Sequence, residues 1–200
     1  MTEDAQVVET ASAGRDRYHH GDLHAALIRA TEEIIAERGV EGFSLREAAR
    51  RAGVSAAAPA HHFGDARGLL TAVAVRGLND LAEVSRAASD KAGPDREARR
   101  VAIGEAYIRY ALDHRARFDL MFRKTLLDRD TPALHEAGGR CFAVLMEAIG
   151  GDPHADPKSE ARAIAAWSLV HGLARLKLDG MLLEEGDPDF VPMVLKTLSI

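Results

Sequence analysis

Ser44-Leu45-Arg46-Glu47 opens the stretch of the sequence with the most chemical content. A serine followed three residues later by a glutamate is a capping box. The serine oxygen accepts from the glutamate backbone N–H, and the glutamate side chain reaches back to the serine N–H. The helix it starts carries Leu45, Ala48 and Ala49 inward and Arg46, Arg50 and Arg51 outward. Gly53 ends it, Val54 packs beneath the turn, and Ser55 caps a second short helix over about residues 56–62. Two short helices joined by a tight glycine turn and braced on a preceding helix form a helix-turn-helix. Its second helix is slim enough to lie in a DNA major groove with its first residues at the base edges. The three arginines suit phosphate contacts and equally suit a solvated face, and Ser44 can cap its helix while also donating to a phosphate.

Other chemistries find less support. His20 and His24 stand four apart, as metal ligands on one helix face would, but no third ligand is evident. The sequence lacks a Gly-x-Ser-x-Gly elbow, a phosphate-cradling loop, a His-Glu-x-x-His pair and paired cysteines. No enzyme activity, metal or cofactor is therefore expected. The one cysteine, Cys141, rules out an intrachain disulfide, reads as a small buried apolar residue, and points to the cytoplasm. No apolar stretch approaches the ~20 residues of a membrane span. Net charge is −5, which argues against nonspecific nucleic-acid binding by the chain as a whole, although Arg15, Arg17, Arg29, Arg67 and Arg76 recur through its first third.

The elements that must hold these residues are helical throughout. Alanine, leucine, arginine and glutamate dominate, and no alternating strand or Asn-Gly hairpin occurs. The expected fold is all-α. Leu23, Leu27, Ala30, Ile34 and Ile35 form one stripe of a first helix from Asp22, its N-cap, to about Arg38, with Gly39 as its stop. After the helix-turn-helix comes a long helix over about 65–90, striped by Leu69, Leu70, Val73, Leu78, Leu81 and Val84. Further helices are expected over about 96–114, 116–124, 131–149, 158–178 and 189–198, with breaks at Gly93-Pro94, Asp130-Thr131-Pro132, Gly150-Gly151-Asp152-Pro153, Asp179-Gly180 and Gly186-Asp187-Pro188. Residues 1–14 read as a disordered tail, 15–64 as the helix-turn-helix domain, and 65–200 as a larger helical domain that begins with the connecting helix.

The order Tyr18-His19-His20-Gly21-Asp22-Leu23, Ser44 to Ala49, Ala52-Gly53-Val54-Ser55, His62-Phe63 and Leu69-Leu70 resembles the DNA-binding domain of TetR-type (tetracycline-repressor family) regulators. Farther on, Tyr107 to Phe122 and Trp167-Ser168-Leu169-Val170-His171-Gly172 resemble the C-terminal domain of the subgroup marked by Trp-x-x-x-His-Gly. The resemblance implies a cytoplasmic homodimer joined through its last two helices. Its double-stranded operator would be a palindrome, and a small-molecule effector would occupy the middle helices. DNA contacts would come from Ser44, Arg46, Ser55, Ala56, Ala57, Ala60, His61, His62 and Arg67. The sequence departs from the family pattern by placing Ala56 where a long polar residue is frequent, Ala60 where tyrosine is usual, and Ala66 where lysine is usual. Arg67 stands one position beyond that lysine. Base readout would then fall to His61, to alanine methyl contacts with thymine, and to DNA shape. Pro59 belongs in the first helical turn, where a missing N–H costs least.

Phe118, Met121, Phe122, Phe142, Met146, Trp167 and His171 are the candidate ligand-binding residues. Most of them also suit a core. Trp167 and His171 lie one turn apart, either as a buried tryptophan with a hydrogen-bonded histidine or as part of a cavity wall. The function these features imply is repression relieved by an effector that swings the connecting helix. A helical sequestering protein with a decayed DNA head and a small histidine metalloenzyme are the rival readings. Activation in place of repression is a third.

Overall fold

In the computed structural model, residues 23–150, 156, 158–182 and 190–197 are described. The order is α1 (residues 23–38), a 3-10 turn at Val40–Gly42, α2 (Leu45–Arg51), α3 (Ala58–Phe63), α4 (Ala66–Lys91), α5 (Arg96–Asp113), α6 (Arg115–Met121), a 3-10 turn at Lys124–Leu126, α7 (Pro132–Ile149), α8 (Lys158–Leu178) and α9 (Phe190–Lys196). The expected all-α architecture is the observed one, and no strand occurs among the described residues. Tyr18, His19, His20, the Asp22 cap, the 1–14 tail and the Gly186-Asp187-Pro188 break lie outside them. The chain divides into two units, Met1–Val73 and Ala74–Ile200.

The first unit is built on the α1 stripe. Leu27, Ala30, Ile34 and Ile35 are buried, as are Ala48 and Ala49 of α2, Pro59 of α3, and Leu69, Leu70 and Val73 at the start of α4. Each fully buried aliphatic side chain contributes roughly 1.5–3 kcal/mol of transfer free energy. Thr31 is buried among them because its hydroxyl donates to the Leu27 carbonyl at 2.8 Å.

The second unit packs α5 against α7, α8 and α9, and α7 against α8. Phe118 and Leu120 of α6 have no exposed surface. Polar clamps fix the register of its helices. The Tyr110 hydroxyl donates to the Gly77 carbonyl at 2.9 Å, Arg117 pairs with Asp80 at 2.6 Å, and Arg115 donates to the Leu178 carbonyl at 2.7 Å. Arg175 of α8 pairs with Asp119 of α6. Val84, expected on the buried stripe of α4, is 41% exposed instead, and Ser85 and Ser89 are buried. A 26-residue helix buries different faces along its length, so one stripe cannot describe it.

Candidate DNA-binding face and ligand cavity

The turn between α2 and α3 follows from Gly53. Its φ of +68° is left-handed, where a side chain would be strained. That conformation lets the Gly53 N–H donate to the Arg50 carbonyl at 3.3 Å and the Val54 N–H to the Ala49 carbonyl at 3.0 Å. This is a Schellman stop, and it redirects the chain into α3.

At the front of α2 the Ser44 oxygen accepts from the Glu47 N–H at 3.3 Å. The second half of the capping box is replaced. The Glu47 carboxylate accepts two bonds from Arg50 at 2.8 Å and one from Arg51 at 3.1 Å. Those bonds hold its pKa down at about 2. Arg51 also grips Glu37 of α1, with bonds of 2.8 and 2.5 Å. Against the expectation that Arg51 faces outward, its side chain is only 15% exposed and serves as the tie between α1 and α2. Arg46 is exposed and has no ion pair among the described residues.

The second helix begins at Ala58, two residues later than expected. Proline lacks an N–H, and any position past the first turn would lose an intrahelical bond. Starting at Ala58 puts Pro59 inside that turn. Ser55 consequently does not cap the helix with its side chain. Its carbonyl accepts the Ala58 N–H at 3.0 Å, forming a lead-in turn that exposes Ser55, Ala56 and Ala57. Pro59 is buried, so this side of the rod anchors it, while Ala60 and His61 are exposed on the other. His62 is half-buried, its ring 5.3 Å from His61 and 6.5 Å from Phe63. Phe63 packs on His24 of α1 at 4.5 Å, and burial followed by the charge of His62 lowers the His24 pKa. Asp65 caps α4 by accepting the Gly68 N–H at 2.9 Å, and Arg67 is exposed in its first turn. Ser44, Arg46, Ser55, Ala56, Ala57, Ala60, His61 and Arg67 are thus all exposed in the first unit.

The second unit encloses a cavity of about 400 Å³, within the range of small-molecule sites. Leu78, Leu81 and Ser85 of α4, Ile103 and Tyr107 of α5, and Met121 and Phe122 at the end of α6 form part of its wall. Leu134, His135, Gly138, Cys141, Phe142 and Leu145 of α7 and Trp167 and Val170 of α8 continue it, and Lys124, Leu127 and Arg129 come from the α6–α7 connection. Of the candidate ligand residues, Met121, Phe122, Phe142 and Trp167 line the cavity. Phe118, Met146 and His171 do not. Phe118 is fully buried behind the wall, 5.6 Å from the Tyr107 ring, and Met146 clusters with Ile149 and Ala163.

Trp167 is not the buried tryptophan expected for a core pair; it is 40% exposed. Its indole N–H donates to the Tyr107 hydroxyl at 3.3 Å, and that oxygen lies 2.8 Å from His171 Nδ1. His171 packs behind, 4.6 Å from Phe122 and 5.5 Å from Phe118. Burial raises the Tyr107 pKa and, with Arg175, lowers that of His171, so both are neutral near pH 7. The Cys141 thiol donates to the Leu78 carbonyl at 3.0 Å, and burial pushes its pKa up to about 11, keeping it a protonated thiol. Tyr107, Lys124, Arg129 and His135 are wall residues that the sequence pattern does not mark as ligand contacts. They come from separate helices and a connection, so no local spacing reveals them.

Among the described residues no group of three His, Cys, Asp or Glu side chains could hold a metal, and no helix is long and apolar enough to cross a membrane. The family profile for bacterial regulatory proteins of the tetR family matches residues 27–73, and that for the tetracyclin repressor-like C-terminal domain matches residues 101–195. No curated protein sequence matches the chain. A Rhodococcus sp. RHA1 protein of unknown function shares 33% identity and a TM-score of 0.74, over 90% of this chain and 93% of that one. A protein inferred to be regulatory, SCO4313, shares 25% identity and a TM-score of 0.73, over 92% and 98%. A TetR family transcription regulator from Marinobacter aquaeolei VT8 shares the fold at 16% identity and a TM-score of 0.67, over 90% and 95%. With both halves matched by its profiles, the chain belongs to the tetR family of bacterial transcriptional regulators.

Proposed function

We propose that this regulator is a homodimeric repressor of the Trp-x-x-x-His-Gly subgroup, released from a palindromic operator when a small molecule fills its cavity. In this reading residues 15–64 are the DNA head, 65–90 the connecting helix, and 65–200 the effector and dimer domain. The observation that carries it is the cavity itself. Leu78, Leu81 and Ser85 on its wall belong to α4, the helix that leaves the DNA-binding unit. An effector touching those side chains acts on a helix continuous with Leu69 and Leu70 beneath the helix-turn-helix. It relieves repression only if it binds the DNA-incompetent state more tightly.

Pairing through the last two helices is supported by the surface of α8. Ala161, Ile164, Ala165, Ser168, Gly172 and Leu176 share one helical face, and Ile164 and Leu176 are 46% and 44% exposed. Phe190 and Met193 add exposed apolar surface on α9. Small residues between large ones let helices approach closely. Two heads about 34–36 Å apart would then enter successive major grooves.

Ser44, Arg46 and Arg67 would meet phosphates, and Ser55, Ala56, Ala57, Ala60, His61 and His62 would face the bases. The exposed methyl groups of Ala56, Ala57 and Ala60 also favour a second reading, a sequestering protein that no longer reads DNA. A mobility-shift assay with the region upstream of its own gene separates the two. The repressor reading expects a shifted palindromic fragment whose affinity falls steeply with salt. Equal affinity for this fragment and random DNA overturns it.

A further inference from the structure

We propose that the cavity takes an amphiphile with an apolar body and one anionic head, such as a fatty carboxylate. The inference rests on the reading that this cavity is the effector site. Its charged lining residues carry one sign. Among the described residues, Lys124 and Arg129 line it, with His135 beside them, and no aspartate or glutamate does. All three are exposed, so they stand at the opening, whereas Leu81, Ile103, Met121 and Val170 are buried deeper along the wall.

The rim segment is built to hold this arrangement. His135 Nε2 donates to the Arg129 carbonyl at 2.6 Å, tying the connection to α7. Asp128 and Asp130 flank Arg129 in sequence, neither is among the lining residues, and Asp128 is turned onto its own segment. Its carboxylate accepts the Asp130 N–H at 3.2 Å and the Thr131 hydroxyl at 2.9 Å. Among the described residues, the two rim cations therefore have no carboxylate facing them from within the cavity lining. Inside, the polar groups are neutral, and apart from the Ser85 hydroxyl they are matched: Trp167 with Tyr107, Tyr107 with His171, and Cys141 with the Leu78 carbonyl. A charged group placed there would be desolvated without a partner. An uncharged apolar body fits that interior, and an anion fits the rim, where charge-assisted hydrogen bonds are the strong ones. A cationic head would meet like charge at the opening and no counter-charge inside.

The chain has one tryptophan, and it lies on the cavity wall, so Trp167 fluorescence reports occupancy directly. The full-length protein is titrated with dodecanoate, dodecan-1-ol and dodecyltrimethylammonium, each below its micelle-forming concentration. Dodecanoate is expected to bind at least about tenfold tighter than the alcohol, with the ammonium weakest. Raising the salt narrows that gap, because rim charges are screened. The Lys124→Glu/Arg129→Glu variant, changed only at exposed positions, should keep its thermal midpoint and its alcohol affinity while losing the carboxylate preference. Equal or tighter binding of the alcohol or ammonium overturns the proposal. So does a carboxylate preference that survives the double substitution, or a Trp167 signal that none of the three moves. Operator release is measured separately. Carboxylate-selective binding without release leaves the ligand class standing and overturns ligand-relieved repression alone.

Discussion

The phenolic oxygen of Tyr107 on α5 lies 2.8 Å from Nδ1 of His171 on α8 and also receives the Trp167 indole N–H at 3.3 Å. An indole nitrogen only donates, so the arrangement that also gives the phenol hydrogen an acceptor turns it toward an unprotonated His171 Nδ1. One hydroxyl thus joins two helices. Tyr107→Phe removes it and strands both neighbours in a largely buried site. The expected cost is about 1–2 kcal/mol, read as a lower urea midpoint at unchanged m value. Unchanged stability would mean that ring packing alone holds the group.

The same histidine gives the fold a pH dependence. Burial, and next the charge of Arg175, lowers the His171 pKa below 6.5; burial and His62 do the same for His24. The folded chain then binds fewer protons than the unfolded chain. This contribution is fully present above about pH 6.5 and is lost as pH falls from there through the lowered folded values. Urea midpoints should decline on going from about pH 7.5 to about 5.5. Imidazole NMR titration showing His171 to charge at or above its ordinary pKa would contradict this.

Two arginines of α2 should behave differently. Arg51 is held by Glu37 and Glu47, so Arg51→Ala should lower the thermal midpoint. Arg46 is exposed and proposed to meet phosphate, so Arg46→Ala should leave the midpoint unchanged and weaken operator binding across sequences. Its slope of log affinity against log salt should shrink by about one. An Arg46→Ala protein with wild-type salt slope removes Arg46 from the interface.

Gly68 marks the tightest approach in the first unit. A Cβ there would lie 1.9 Å from the Phe63 carbonyl oxygen, a backbone atom with little freedom to move. Gly68→Ala should force α3 and the start of α4 apart at a cost of about 1–3 kcal/mol. Thermal melting and a mobility shift on the same sample read it, with specific DNA binding expected to fall further than stability. A neutral substitution would mean the approach is looser than 1.9 Å.

Phe118 and Phe142 separate core from cavity. Phe118 is fully buried, and its truncation to alanine should cost about 3–5 kcal/mol. Phe142 is half-buried against the cavity, where truncation enlarges space already empty, so the loss in urea should be smaller. Equal losses would place Phe142 in the core as well.

Periodicity and punctuation carry most of the fold. The α1 stripe, the Gly53 stop, the serine cap of α2 and the span of α8 are local properties of the chain: 3.6-residue spacing, a left-handed glycine, a side-chain oxygen before a free N–H. Such features are fixed by neighbours within about four residues, and they are legible in order along the sequence. The start of α3 falls two residues past the position a Ser55 cap predicts, because the missing Pro59 N–H outweighs that cap. What the sequence could not decide was which of several chemically similar side chains goes where. Arg46 and Arg51 look alike until Glu37, fourteen residues from Arg51, claims one of them. Phe118 and Phe122 are one helical turn apart, yet one is core and the other cavity wall. Tyr107 and His171 are 64 residues apart and touch only because α5 and α8 pack together. Local spacing sets which face a residue occupies; only the packing of distant helices sets whether that face meets protein, empty space or water.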